Sequence, residues 1–294
     1  MINCALIGYG RWGKVIYRNI ITNKNLNLKV IFYNKSIDTK NINSNIKTSN
    51  NYIHFNYSSI KLIFIAANSE INYELCKFFL LKKINVFIEK PITSSKKKID
   101  ELVILAKKNK CILHIDYIHL FNKNFLSFKK KVTHEMSVNS KFRLKIIMGS
   151  NLSRVNQIDS YWDWGTHVFS ILSKLISLDH LKLILIKKKS KNISKVNYDI
   201  KLHLNNNLLE LKFGNNFKEK KILVSYKDKF NHIRYYDKYY MIRNKKYNLI
   251  LHSDETPLQE SFNKVIQNIF NKKVYQCRTS KQLTFMMEKI IKKI

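Results

Sequence analysis

The first 120 residues alternate between two hydrophobic patterns. Short, nearly continuous apolar runs, as in "INCALIG" (2–8) and "KLIFIAAN" (61–68), are typical of strands buried on both faces of a parallel sheet. The stretch "NYELCKFFLLKK" (72–83) instead has apolar residues three and four positions apart, which predicts a helix. The same two patterns recur at 14–21, 28–33, 85–92, 98–110 and 111–120. Repeated strand–helix units favour an α/β fold with a doubly wound parallel sheet.

The alternation ends near residue 120, and the second half of the chain has mainly strand patterns. Its predicted strands, several with period-two alternation, are 141–151, 181–188, 197–205, 208–215, 220–228 and 231–242. They predict an open, mostly antiparallel sheet, with a helix over 161–177 packed on one face. Two further helices are predicted towards the C-terminus, where N-cap patterns begin at Thr256 and Thr279.

Three of the six glycines in the chain fall within six positions, at Gly8, Gly10 and Gly13. They form a Gly-x-Gly-x-x-Gly sequence between a predicted strand and a predicted helix, which is the context of a dinucleotide-binding turn. Gly8 would permit the tight turn, Gly10 the close approach of a pyrophosphate, and Gly13 the packing of helix on strand. The helix N-terminus would then face the phosphates.

The glycine turn predicts a Rossmann dinucleotide-binding domain over residues 1–119. An α+β domain for substrate binding and oligomerisation would follow over 120–294, and its C-terminal helices could pack back on the first domain.

Other predicted cofactor contacts lie at the carboxyl ends of the parallel strands, where ligands of such sheets bind. NAD-binding proteins usually have an acidic residue after the second strand, but this chain has Asn34, Lys35 and Ser36 there. No carboxylate would repel a 2′-phosphate, and a lysine could pair with one, so NADP is slightly favoured over NAD. Both remain open, because Asn and Lys are common throughout the chain. The further predicted cofactor contacts are Tyr9, Arg11, Trp12, Ala66, Ala67, Asn68, Glu89 and Lys90.

Lys90 follows the fourth predicted strand and precedes Pro91, one of only two prolines in the chain. A charged lysine at the strand end where ligands bind, stiffened by the next residue, suits an acid–base or hydroxyl-binding role. In so lysine-rich a protein, an ordinary exposed lysine is the alternative interpretation.

The net charge is +34, from 54 Lys and Arg residues against 20 Asp and Glu residues. Such a charge could indicate nucleic acid or an acidic membrane surface as a partner. The lysines are dispersed in short runs and form no basic arm or tail, which favours compositional bias as the explanation. The segment 232–243 interleaves aromatic and basic residues, but tyrosines in a sheet account for it equally well.

The four cysteines are widely spaced and include no CxxC pair, which argues against a zinc or redox site, and no metal is expected. No apolar run approaches the roughly 18 residues that cross a bilayer. The first residues do not show the charged segment followed by an apolar run that is typical of a signal peptide. We therefore expect a soluble, cytoplasmic protein without a membrane partner.

Three motifs in order resemble the Gfo/Idh/MocA oxidoreductases: "IGYGRWGKVIYRNI" (7–20), "VFIEKPI" (86–92) and "YWDWGTHVFSIL" (161–172). These are two-domain NAD(P)-dependent enzymes that act mostly on sugars, sugar nucleotides and cyclic polyols. Trp12-Gly13 with Arg18-Asn19 is most similar to members that oxidise nucleotide sugars. The segment "DYIHLFNKNF" (116–125) resembles the one by which the family leaves its cofactor domain, with Lys123 in place of a proline.

The resemblance implies which residues are catalytic. In the family, the EKP lysine lies beside the nicotinamide and the substrate, facing the Asp and His of a DxGxH helix. These residues correspond here to Lys90, Asp163 and His167. Residues four apart share a helix face, and an imidazole could accept the alcohol proton as hydride leaves. Lys90 could hold the oxygen or exchange the proton, and Asp163 could orient the reacting groups or bind a hydroxyl.

The predicted substrate contacts are Tyr117, His119, Asn122, Trp162 and Trp164; for the two tryptophans, packing is the alternative.

The chain departs from the family pattern at several positions. Ser170 stands where an acid is common, and Asn34 where the acidic ribose ligand is expected. Ala67-Asn68 and then Asn72 replace the frequent Thr-Pro and His. These positions concern cofactor preference and substrate contacts, and the three catalytic candidates are retained.

The sequence thus predicts an NAD(P)-dependent oxidoreductase acting on a CH–OH or ketone group of a sugar, sugar nucleotide or cyclic polyol. A homodimer or homotetramer through the second sheet is expected. Two alternatives come from other classes. One is a non-catalytic NAD(P)-binding sensor or partner-binding protein on the same fold, and the other, suggested by charge alone, is a nucleic-acid-binding protein.

Overall fold

The structure, a computed structural model, describes residues 1–34, 40–151, 159–192, 195–243, 245–247, 256–272 and 278–293. The chain divides into two compact units. The first comprises Met1–Thr93, Lys97–Asp116 and Leu258–Cys277, and the second Ser94–Lys96, Tyr117–Pro257 and Arg278–Ile294.

The first unit is built on a six-stranded parallel sheet. Its strands are β1 (Ile2–Ile7), β2 (Leu26–Phe32), β3 (Lys47–Ser49), β4 (Leu62–Ile65), β5 (Asn85–Glu89) and β6 (Leu113–Asp116). They lie in the order β3-β2-β1-β4-β5-β6, and all neighbours are parallel. The connecting helices are α1 (Arg11–Ile21), α2 (Ser69–Leu81) and α3 (Lys96–Lys108).

Burial of the central strands explains their continuous apolar sequences. All four residues of β4, Leu62–Ile65, are fully buried, as expected for a strand covered on both faces. The sheet order reverses direction between β1 and β4, since β2 pairs with one side of β1 and β4 with the other. In doubly wound sheets this switch point, at the carboxyl ends of the strands, is where ligands bind.

The second unit contains an eight-stranded sheet. A short 3₁₀ helix (Ile118–Phe121), α4 (Lys123–Val138) and α5 (Ser160–Leu175) belong to this unit. The strands are β7 (Arg143–Gly149), β8 (Lys182–Asn192), β9 (Lys195–Leu204), β10 (Asn207–Gly214), β11 (Lys221–Lys227), β12 (His232–Tyr235), β13 (Tyr240–Ile242) and β14 (Lys245–Tyr247). Their order is β14-β13-β12-β11-β7-β10-β9-β8, and among these described strands only β7 and β10 pair in parallel.

Helix α5 packs on β7, β9 and β10. A Cβ at Gly165 would lie 2.8 Å from Met287 Cε and 3.1 Å from the Phe213 ring, so the helix backbone packs closely on these two side chains. Two helices complete the fold. Helix α6 (Pro257–Phe270) belongs to the first unit from Leu258 onwards, and α7 (Arg278–Ile291) to the second, where it contacts α5.

The predicted fold class, a doubly wound parallel sheet with a mostly antiparallel second sheet, is confirmed. One predicted element is wrong in detail: the single strand expected over 231–242 is two strands, β12 and β13. The chain turns between them, where Asp237 has a φ of 68° and Tyr236 N–H donates to the Tyr239 carbonyl. Asp is one of the few residues that adopts this left-handed conformation readily. Among the described helices, none is both long and apolar enough to cross a membrane.

Candidate functional site

The glycine turn between β1 and α1 is shaped by two close backbone contacts. Gly8 has a φ of +90°, and a Cβ there would lie 2.4 Å from the Ala66 carbonyl oxygen. A Cβ at Gly13 would lie 2.0 Å from the Gly8 carbonyl oxygen. A Cβ at Gly10, in contrast, would meet no atom within 4 Å. The packing of the described residues therefore requires glycine at positions 8 and 13, whereas at position 10 it leaves space for a ligand to approach the backbone.

The N-terminus of α1 fits a phosphate group. Gly10 is the N-cap, the described residues provide it with no side-chain cap, and the first turn has no acidic residue. The free N–H groups and the positive end of the helix dipole are thus open to an anion. Together with the open space at Gly10, this end of the helix fits the pyrophosphate of a dinucleotide.

The neighbouring strand ends are tied to this turn by backbone hydrogen bonds. Gly8 N–H donates to the Phe32 carbonyl at 2.9 Å, and Ala66 N–H donates to the Ile7 carbonyl at 2.8 Å. Ala67 is half-buried, Asn68 is exposed and caps α2, and Asn34 is exposed after β2. The other two residues predicted at the ribose, Lys35 and Ser36, lie outside the described residues.

Lys90 follows the carboxyl end of β5 and is half-buried. The Lys90–Pro91 peptide bond is cis. The buried Asn72 side chain donates from Nδ2 to the Pro91 carbonyl at 3.0 Å and so holds this loop against α2. The departure from the family pattern at Asn72 thus fixes the position of the segment that contains Lys90.

A buried polar cluster lies beside Lys90. Glu89 and Asp116 are register partners on the neighbouring parallel strands β5 and β6. The Asp116 Oδ1 accepts a hydrogen bond from the Ser261 hydroxyl at 2.9 Å, and Ser261 Oγ is 2.9 Å from His114 Nε2. The indole N–H of Trp12 donates to Glu89 Oε1.

Burial controls the charges in this cluster. It raises the pKa of Asp116 well above its ordinary value, and the charge of Glu89 raises that pKa further. Burial also raises the pKa of Glu89, against the opposing effects of the Lys90 charge and the Trp12 hydrogen bond. Burial lowers the pKa of His114 to about 3, so this imidazole is neutral. Asp116, His114 and Ser261 were not predicted as functional residues; the only sequence signal was two polar residues in a short buried strand.

In the second unit, Asp163 and His167 lie on α5, four residues apart and both half-buried. Asp159 caps the helix by accepting a hydrogen bond from Tyr161 N–H at 2.8 Å. The centroid of the His167 ring lies 4.9 Å from that of the His119 ring, in an edge-to-face arrangement, and 5.9 Å from that of the Trp164 ring. Three of the predicted site residues are therefore brought together around His167: His119, Asp163 on the same helix, and Trp164.

Asp237 is a further member of this group that the sequence did not indicate. Its Oδ1 lies 3.5 Å from His119 Nδ1 and accepts a hydrogen bond from the Tyr235 hydroxyl at 3.2 Å. Burial alone would raise the pKa of Asp237, but His119, together with the positive charge of Lys220, outweighs it, and the pKa is lowered. Asp237 is thus ionised at neutral pH and orients His119.

The remaining predicted substrate contacts have structural partners. Tyr117 is buried, and its hydroxyl donates to Ser280 Oγ at 3.2 Å. Asn122 caps α4 and donates to the Asp237 backbone carbonyl at 2.9 Å. Trp162 is half-buried, with its ring 5.5 Å from that of Tyr161. Their contacts with substrate stay predictions, as does the action of Lys90 and His167, which belong to different units, on one molecule.

Residues 2–117 match the GFO_IDH_MocA family model, which describes an oxidoreductase family with an NAD-binding Rossmann fold. The predicted family resemblance is confirmed for this segment. It carries the NAD-binding fold of the Gfo/Idh/MocA oxidoreductases. The comparison with curated proteins gave no significant match.

Several solved structures share the fold over nearly the whole chain. A dehydrogenase (MviM) from Clostridium difficile is 18% identical, with a TM-score of 0.80, covering 100% of this chain and 99% of that one. The 3-ketoreductase KijD10 from Actinomadura kijaniata, solved with TDP-benzene and NADP, is 11% identical, with a TM-score of 0.82 and coverage of 96% and 94%. UDP-N-acetylglucosamine 3-dehydrogenase GnnA from Acidithiobacillus ferrooxidans is 11% identical, with a TM-score of 0.75 and coverage of 98% and 96%. At these identities the similarity shows a common fold.

Proposed function

We propose that this protein is an NAD(P)-dependent oxidoreductase that transfers a hydride between a nicotinamide cofactor and a carbinol or ketone carbon of a sugar-like substrate. The observation that carries the proposal is the turn between β1 and α1. Its Gly10 faces open space at an uncapped helix N-terminus, within a segment that matches an NAD-binding oxidoreductase fold. Lys90 follows a parallel strand of the same sheet, at the strand edge where such folds bind ligands.

The side chains have distinct roles in this proposal. The bound nicotinamide supplies the hydride acceptor or donor. Lys90 holds the substrate oxygen and stabilises its developing negative charge. His167 accepts the hydroxyl proton during oxidation and returns it during reduction. Asp163, on the same face of α5, orients the reacting groups.

A nucleotide sugar is the best-supported substrate class, and a free sugar or cyclic polyol is the wider one. KijD10 is a 3-ketoreductase solved with TDP-benzene and NADP, and GnnA is a UDP-N-acetylglucosamine 3-dehydrogenase. Both are similar in fold to this chain over more than nine-tenths of its length. The Trp12-Gly13 and Arg18-Asn19 pairs support the same class by resemblance.

NADP is the cofactor that we propose over NAD. No acidic side chain stands at Asn34 to accept hydrogen bonds from the ribose hydroxyls of NAD or to repel a 2′-phosphate. Calorimetric titration with NADPH and NADH tests this preference directly. Tighter binding of NADH would contradict it and leave the oxidoreductase proposal in place.

The deciding experiment combines binding with turnover. Purified protein is titrated with both reduced cofactors, and then screened against nucleotide sugars, sugars and cyclic polyols by the absorbance of reduced nicotinamide. Lys90→Ala should abolish turnover, whereas Lys61→Ala, at an exposed position before β4, should leave it unchanged. Failure to bind either cofactor would refute the proposal, and tight binding without turnover of any substrate would favour a sensor or partner-binding protein.

We also propose that the protein forms a homodimer or homotetramer through the eight-stranded sheet and works in the cytoplasm. Sedimentation velocity tests the first proposal, and a monomer at micromolar concentration would contradict it. Cell fractionation tests the second.

A further inference from the structure

Two carboxyl groups meet at the carboxyl ends of β5 and β6, next to Lys90. Glu89 and Asp116 are register partners on neighbouring parallel strands, which lie about 5 Å apart. Asp116 is only 1% exposed, and as a register partner its side chain lies on the same face of the sheet as that of Glu89. Two ionised carboxylates on neighbouring register positions of a buried sheet face repel each other, and burial disfavours the second charge. One of the pair must therefore hold a proton.

The hydrogen bonds around each carboxyl group identify which one holds the proton. Glu89 accepts from the Trp12 indole N–H and from the Lys90 backbone N–H, and it faces the positive charge of Lys90. All three favour an ionised Glu89. Asp116 accepts from the Ser261 hydroxyl at Oδ1, while no donor among the described residues reaches Oδ2. An oxygen that accepts no hydrogen bond, beside an ionised carboxylate, is the one placed to donate.

We propose that Asp116 is a positioning residue that stays protonated at neutral pH and donates its Oδ2 proton to the Glu89 carboxylate. The pair then carries one negative charge. That charge holds the Trp12 indole on one side and lies beside Lys90 on the other. Its kinetic consequence rests on the proposed oxidoreductase function, whereas the protonation and the indole contact do not.

The Glu89–Asp116 pair links two parts of the proposed cofactor site in the first unit. Trp12 lies in the first turn of α1, directly beside the glycine turn, and Glu89 is the residue before Lys90. A Glu89 carboxylate fixed by Asp116 therefore sets the position of the Trp12 indole, which is 39% exposed, at the proposed phosphate end of the cofactor site. It also sets the position of the Lys90 backbone at the proposed nicotinamide end. Without the Asp116 donor, Glu89 would be free to turn towards the Lys90 ammonium and release the indole.

The remaining groups that face the pair do not compete for its proton. Ser261, on α6, is fully buried, and its hydroxyl bridges Asp116 to His114. His114 is neutral, since burial and the nearby positive charge of Lys264 lower its pKa to about 3. The positive charge of Lys90 acts on both carboxyl groups, and it favours a negative charge on the pair.

Infrared spectroscopy tests the protonation without cofactor or substrate. A protonated, buried carboxylic acid has a carbonyl band separate from those of carboxylates. We expect this band in the wild-type protein at neutral pH, shifted by aspartate-specific ¹³C labelling and absent from Asp116→Asn. It should persist in Ser261→Ala, which removes the hydroxyl that donates to the other oxygen and leaves Oδ2 unchanged. Absence of an aspartic acid band from the folded wild-type protein would overturn the proposal.

The positioning role has a readout of its own. In ¹⁵N-tryptophan-labelled protein, the Trp12 indole N–H, assigned with Trp12→Phe, should resonate downfield as a charge-assisted hydrogen bond. Asp116→Asn keeps a donor and should leave this signal in place, whereas Asp116→Leu should shift it towards the position of an exposed indole. Equal indole signals in the Asn and Leu variants would overturn the positioning role.

Kinetics and binding then separate this role from general destabilisation. We expect Asp116→Asn to retain cofactor affinity and kcat within about threefold, and folded Asp116→Leu to lose at least tenfold in cofactor affinity. Rescue by the Asn variant is the result that a loss of packing would not give. A wild-type protein that shows the acid band and the indole signal but has no oxidoreductase activity would contradict the proposed function. The inference about Asp116 would still stand.

Discussion

The strongest test of the cofactor turn is a pair of alanine substitutions three residues apart. A methyl group at position 13 would lie 2.0 Å from the Gly8 carbonyl oxygen, a backbone atom that cannot rotate away. Overpacking of this kind costs typically 1–3 kcal/mol, and the higher helix propensity of alanine returns about 1 kcal/mol. Because the blocked contact is made by backbone, we take the upper end and expect Gly13→Ala to lose about 2 kcal/mol of stability.

Gly10→Ala should have the opposite profile. The methyl group meets no atom of the described residues within 4 Å, and Gly10 has a φ of −73°, which alanine adopts without strain. Alanine is a poorer N-cap than glycine, but it restricts the unfolded chain by about 0.4–1 kcal/mol. The two effects nearly cancel. The methyl group would nevertheless occupy the space that we assign to the pyrophosphate, so we expect cofactor affinity to fall at least tenfold, or about 1.4 kcal/mol.

Thermal melts and calorimetric titrations of the two variants separate these effects. For a protein of this size, a loss of 2 kcal/mol lowers the melting temperature by roughly 3 °C. Gly13→Ala should melt this much lower, and Gly10→Ala should melt within about 1 °C of the wild type but bind cofactor weakly. Wild-type cofactor affinity in a stable Gly10→Ala would refute the assignment of that open space to the pyrophosphate. An unchanged melting temperature for Gly13→Ala would refute the packing argument.

Three other expectations concern the second unit. His167→Asn should lower kcat by about 10²–10⁴ with little change in cofactor affinity, and the exposed His134→Asn on α4 is the matched control in the same steady-state assay. The pKa of Asp237 is lowered in the folded state, so its ionised form stabilises the fold at pH values above the ordinary pKa of an aspartate. This stabilisation is lost as the pH falls through the pKa of the folded state. Urea denaturation should therefore show that the wild type loses stability more steeply below about pH 4 than Asp237→Asn does. Phe213→Ala, which removes a fully buried ring packed on Tyr161 and Phe169, should lower the free energy of unfolding by about 3–5 kcal/mol, and Phe230→Ala, at a ring that is 58% exposed, should change it little. Equal effects in each pair would contradict these assignments.

The elements that the sequence predicted well are those whose physics is local. The glycine turn is specified by three residues and by the strand and helix on either side of it, all within 21 positions. Continuous burial of β1, β4 and β5 produces the apolar runs that predict a parallel sheet. Asp163 and His167 are one helical turn apart, and their shared face follows from helix geometry alone.

The residues that the sequence did not reveal depend on contacts between distant positions. Asp116 and Ser261 are 145 positions apart, and His119 meets Asp237 only because the chain turns between β12 and β13. Periodicity carries no information about such pairs. In the strand pattern over 231–242, the turn was hidden because Tyr and Lys residues flank Asp237 where Gly or Asn would usually indicate a break.

The return of α6 to the first unit makes that unit discontinuous in sequence. The ring centroid of Phe262 lies 4.7 Å from that of Phe64 and 4.9 Å from that of Phe87. The Ser261 hydroxyl donates a hydrogen bond to Asp116. A shortened gene product that stopped after β6 would leave two sheet phenylalanines uncovered and a buried acid without its hydroxyl. The first unit therefore cannot be transferred as one continuous segment. Recombination or truncation that moves it without residues 258–272 would separate the parallel sheet from part of its own core.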